Sequence, residues 1–126
     1  MATTANLNFI ADNVARLFGI MLIGLGTTTQ FRPLEGARVF AGSIATDEKA
    51  ALFFPIVGAR NISLGLAMLI LGLQGQRNAL GTLIAVFTLS GGIDAWWCAR
   101  NNSEKWAGHA IATATGVPLS WWLLSH

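Results

Sequence analysis

The sequence predicts an all-α fold, a four-transmembrane-helix bundle that makes one membrane domain over residues 1–126. Three observations carry this. The chain is 53% hydrophobic and only 11% charged, with a mean hydropathy of +0.55. Soluble domains carry about 25% charged residues, so a solvated surface could not be covered here. The apolar residues fall into four segments of about 19 to 26 residues, and about 20 span a bilayer. The segments also lack the polar stripe that a soluble bundle's helices need on their outer face.

The first segment covers about residues 7–28. Asp12 and Arg16 stand at i and i+4 in it, share a helix face and are expected to pair. A linker over residues 29–48 follows, with Arg32, Pro33, Glu35, Gly36, Arg38, Gly42, Asp47 and Glu48. It is long for a connection in a compact bundle, and it suits either a lid over one mouth or a surface loop. The second segment covers about residues 49–74, with Pro55 as a candidate kink and Arg60-Asn61 near its middle. A tight polar turn, Gln74 to Arg77, leads to the third segment, about residues 78–99, whose only charge is Asp94. Residues 100–105 break it, and Ser103 is placed to cap the next helix. The fourth segment covers about residues 106–124, with His109 near its start and Pro118 in its second half.

Four spans put both termini on one side. The loops on the other side carry Arg32, Arg38, Lys49, Arg100 and Lys105, against Arg77 and the amino terminus. The positive-inside rule then makes the termini non-cytosolic, in the lumen of the endoplasmic reticulum or another internal membrane. Residues 1–6 lack the basic region of a cleaved signal peptide. Trp96, Trp97, Trp106, Trp121 and Trp122 stand at span ends, as an aromatic belt does. A net charge of +2 from scattered residues gives no nucleic-acid footprint. The single Cys98 excludes an internal disulfide and reads as a packing residue. No ligand set for a metal is visible, and the chemistry considered needs no cofactor.

The helical rise places the polar groups by depth. Measured from the linker side, Arg16 lies roughly 18 Å deep, Arg60 roughly 16 Å, Asp94 about 9 Å and His109 about 6 Å. The two arginines are thus expected at one height, with Arg60 one to two turns below Asp94 and His109. A charge at the bilayer centre costs about 2.5–3.5 kcal/mol, so pairing of Asp94 with Arg60 or Arg16 is expected to offset it. Gly58, Gly65, Gly91, Gly92 and Gly108 flank these residues and permit close helix approach. Each group also has a plainer role open to it: Arg60 as helix glue, His109 as an interhelical donor, the tryptophans as anchors. Asp94 is hardest to explain that way, because a carboxylate in lipid marks a functional site.

The run Gly58-Ala59-Arg60-Asn61, followed by Leu64-Gly65-Leu66, Asp94 and Gly108-His109, resembles small four-helix membrane proteins common in fungi. These form a domain-of-unknown-function family and are distantly similar to DoxX-like proteins. Asn61 departs from the acid that often follows the arginine there. The pattern is also loosely similar to membrane-bound epoxide-opening enzymes of polyketide clusters. That resemblance implies epoxide hydrolysis or epoxide-opening cyclisation in secondary metabolism.

The leading expectation is a membrane-embedded acid–base enzyme acting on a lipophilic small molecule. Asp94 serves as base or nucleophile, His109 as proton relay and Arg60 as orienting and oxyanion-stabilising group. Arg16, Asn61, Asp12 and Trp97 are the candidate substrate contacts. Membrane lipids are the expected surroundings, and a homodimer is compatible with the pattern. Two alternatives stand beside it. In a proton-coupled transporter Asp12 would carry the proton; in a non-catalytic scaffold subunit the polar groups would only join helices.

Overall fold

The computed structural model describes residues 3–126 and shows helices α1 Thr4–Phe31, α2 Pro33–Ala41, α3 Glu48–Ala51, α4 Phe54–Leu73, α5 Arg77–Arg100 and α6 Trp106–Ser125. A 3-10 turn, Gly42–Ile44, follows α2, and no strand occurs among the described residues. Thr3 opens α1 by accepting from the Asn6 N–H. Asp47 caps α3 through the Lys49 and Ala50 N–H groups. Pro55 does not kink a helix; it sits in the first turn of α4, where a missing N–H costs nothing. The proline inside a helix is Pro118 of α6.

The long helices pack as two antiparallel pairs, α1 with α4 and α5 with α6. Glycines make the first pair close. Gly19 and Gly26 of α1 face Gly65 and Gly58 of α4, and a Cβ on Gly26 would come 2.5 Å from the Gly58 carbonyl oxygen. In the second pair, Gly81 meets Leu123 and Leu124, and Gly116 meets Thr88. The pairs meet each other at the terminal end of the bundle, around Ala11, Ala15, Met68, Leu80, Ile84 and Leu123. They part at the opposite end.

Along α1 the distribution of side chains is the reverse of that on a soluble bundle's helix. The buried residues of α1 are mostly small: Ala11, Ala15, Gly19, Gly26 and Thr29, with Leu22. Phe9, Leu17 and Ile20 of the same helix point outward. Phe31 is 81% exposed and Leu73 75% exposed. Among the described residues three helical stretches are long and apolar enough to cross a membrane: Thr4–Phe31, Glu48–Leu73 and Arg77–Arg100. Helix α6 has 20 residues, but His109, Pro118, its threonines and its tryptophans make it less apolar.

The linker differs most from expectation. Helix α1 runs on to Phe31, and residues 33–41 then form α2 rather than loop. Pro33 and Glu35 stand in its first turn, Arg38 in its last, and Gly42 ends it at φ +67°. These are ordinary start and stop signals. Helix α2 lies across the end where the pairs part, with Gly36 pressed against Thr29 of α1.

Candidate functional site

Between the two pairs, under α2, is a cavity of about 150 Å³. Helix α1 supplies Phe18, Met21, Leu22, Leu25, Thr28 and Thr29, and α2 supplies Gly36, Val39 and Phe40. Helix α4 adds Phe54, Val57, Arg60 and Asn61; α5 adds Phe87, Gly91 and Asp94; α6 adds His109 and Ala112. The wall is mainly apolar and aromatic. Asp94, His109, Arg60 and Asn61, which stand on three of the short sequence motifs, all border this one space.

Their levels follow from helix register. The Gly19–Gly65 and Gly26–Gly58 contacts place Arg60 beside Gly24 and well away from Arg16. Helix α4 starts at Phe54 rather than at Lys49, so Arg60 is only about 9 Å from that end. Asp94 is about 9 Å from the corresponding end of α5. The expected offset between Arg60 and the Asp94–His109 level therefore disappears, and so does the shared height of the two arginines.

Asp94 is half-buried. Among the described residues it makes no hydrogen bond, and the two ion pairs present, Arg32–Glu35 and Arg77–Asp12, do not include it. The expected Asp94 pairing with Arg60 or Arg16 is thus not formed, although Arg60 and His109 border the same cavity. A carboxylate without a bound donor keeps its lone pairs for another partner. Arg60 is exposed at the cavity's edge.

His109 is held firmly. Its Nε2–H donates to the Phe40 carbonyl oxygen over 2.9 Å, and the two rings lie 4.7 Å apart. A carbonyl only accepts, so Nε2 carries the proton and Nδ1 is left as the atom that can take one up.

Three other sequence candidates lie away from the cavity. Asp12 does not pair with Arg16; its carboxylate is 3.2 Å from Arg77 Nε. That contact is coulombic rather than a hydrogen bond, since Arg77 Nε and Nη2 have no aligned acceptor. Arg16 instead donates from Nη2 to the Gly72 carbonyl oxygen, 3.1 Å away. This places a cation on the last turn of α4, where the helix dipole favours it. Trp97 packs against Phe40 from outside, with centroids 6.3 Å apart. Ser103 is not the N-cap of α6, a position held by Lys105. It accepts from the Lys105 N–H at 3.1 Å and donates to the Ala41 carbonyl at 2.8 Å. Sequence reasoning missed Phe40 and the rest of α2, although the start and stop signals noted above mark the helix.

Apolar helices that hide glycine, show phenylalanine and enclose a polar-edged cavity define an all-α bundle of membrane-protein type. The chain belongs to the family described as a domain of unknown function, DUF4267, whose model matches residues 19–125. The match covers α2 through α6, hence the roof, Arg60, Asp94 and His109. No curated protein and no solved structure matches the chain.

Proposed function

We propose that the protein is a membrane-embedded acid–base enzyme that opens the epoxide ring of a lipophilic small molecule, by hydrolysis or by cyclisation onto an internal hydroxyl. The observation that carries this is the unpaired Asp94 carboxylate bordering one apolar cavity together with His109 and Arg60. In hydrolysis, Asp94 takes a proton from water as the water oxygen bonds to a ring carbon. The ring C–O bond breaks and its electron pair passes to the epoxide oxygen. Arg60 stabilises that alkoxide. The proton then moves from Asp94 through His109 Nδ1 to the alkoxide, so the net change is addition of one water. In cyclisation a substrate hydroxyl replaces the water. The loose resemblance to epoxide-opening enzymes of polyketide clusters supports this chemistry and a place in secondary metabolism.

The same reading has α6 as a fourth span, both termini in the lumen of an internal membrane such as the endoplasmic reticulum, and the cavity entered from the lipid phase. The test uses purified wild type and Asp94→Asn in detergent, offered a panel of alkyl and aryl epoxides, with diol or cyclic ether as the readout. Wild type is expected to turn over at least one of them, and Asp94→Asn to lose about 10²-fold or more. Equal turnover by folded Asp94→Asn would end the assignment.

A further inference from the structure

We infer that Ser103 and Glu104, in the turn between α5 and α6, are positioning residues for His109, acting by clasping the C-terminal end of α2. The last carbonyls of a helix have no donor within it. In α2 the Gly42 N–H serves Arg38 O. Phe40 O and Ala41 O take their donors from α5, α6 and the turn between them. His109 Nε2–H and the Cys98 thiol, at 3.7 Å, reach Phe40 O. The Ser103 hydroxyl reaches Ala41 O at 2.8 Å from a site only 1% exposed. Glu104 completes the clasp. Its two oxygens accept from Ser43 N–H at 2.9 Å and from the Ser43 hydroxyl at 3.0 Å. The positive φ of Gly42 turns the chain toward that carboxylate, and a Cβ there would collide with it.

Among the described residues five polar links run from α2 and its 3-10 turn to α5, α6 and the turn between them, and three of the five are made by Ser103 and Glu104. Held by the clasp, the Phe40 carbonyl keeps the His109 proton on Nε2 and leaves Nδ1 free. Without it the end of α2 can drift, and both neutral tautomers become accessible. This rests on the reading of His109 as proton relay, but its test does not need turnover.

The full chain, labelled with ¹⁵N-histidine in detergent micelles at pH 8, reports the tautomer directly. His126→Ala assigns the signals, because only two histidines are present. In wild type the Nε2–H form of His109 is expected to dominate. In the Ser103→Ala/Glu104→Ala double variant its excess is expected to fall about fivefold, the weight of one lost hydrogen bond. Glu104→Gln keeps one acceptor and is expected to fall between the two; it carries the test if the double variant does not fold. An unchanged ratio in whichever of these folds overturns the inference, whatever the enzyme assay shows. A shifted ratio with no epoxide turned over upholds the clasp and sinks only the reaction assignment.

Discussion

Single side chains separate the roles that charge alone leaves mixed. Arg16 and Arg60 are both arginines in apolar helices, yet only Arg60 borders the cavity. Arg16→Met removes the bond to the Gly72 carbonyl and a cation from the end of α4. It is expected to cost roughly 1–2 kcal/mol, read as a lower Tm in detergent, with kcat unchanged. Asp12→Asn weakens a partly exposed ion pair; it should cost no more than about 1 kcal/mol and leave turnover intact. A proton-coupled carrier with Asp12 as its acid would instead lose ligand-linked proton release in that variant.

At the scale of the helices, close contact between backbones holds each pair together. Gly58→Ala would drive a methyl group into Thr29, and Gly65→Ala would press one on the Gly19 carbonyl at 2.5 Å. Each is expected to lower stability by roughly 1–3 kcal/mol. Gly24 and Gly108 have nothing within 4 Å of a built Cβ. Gly24→Ala is therefore expected to stabilise α1 by about 0.5–1 kcal/mol, and parallel thermal melts of the variants check the contrast. The clasp on α2 has its own pH dependence. The Glu104 carboxyl is held below its ordinary 4.5 by its own backbone N–H, then by Ser43 N–H and hydroxyl, with Lys105 adding to this. Its folded pKa lies below the unfolded one, so the clasp is complete at neutral pH. It weakens as pH falls below about 4.5 through the lowered value. Proteolysis within residues 42–47 is expected to speed up over that acid range in wild type, and to be fast and flat with pH in Glu104→Ala.

For the molecule as a whole, the open question with the clearest answer is the number of crossings. Cys98 is the only cysteine and is fully buried, so an introduced exposed cysteine reports alone. Thr46→Cys and Ser125→Cys are separated by α4, α5 and α6. With α6 spanning, an impermeant maleimide is expected to label them from opposite faces of oriented vesicles; labelling from one face would leave α6 outside the bilayer. Much of this architecture is legible in the sequence. The apolar segments match α1, α4, α5 and α6 to within a few residues at most ends, because length and hydropathy are local properties. Counting back from the short polar turn that joins their helices puts Asp94 and His109 at adjacent levels, and both border the cavity. Counting from Lys49 puts Arg60 too deep, because its helix begins at Phe54, after a break that follows α3. The Asp12–Arg77 contact and the Phe40–His109 bond join residues far apart in the chain, and no spacing rule reaches them.

The two helix pairs are each sealed along their own length but share little beyond the packing at the terminal end. Val57 lines the gap outside the core cluster, whereas Phe18 and Phe87 line it and also pack against that cluster. Exchanging Val57 for a smaller or larger group is expected to resize the chamber at little cost to the scaffold, whereas shrinking Phe18 or Phe87 is expected to lower stability as well. On this plan the chamber can change size at such a wall position while Asp94, His109 and Arg60 stay in register around it.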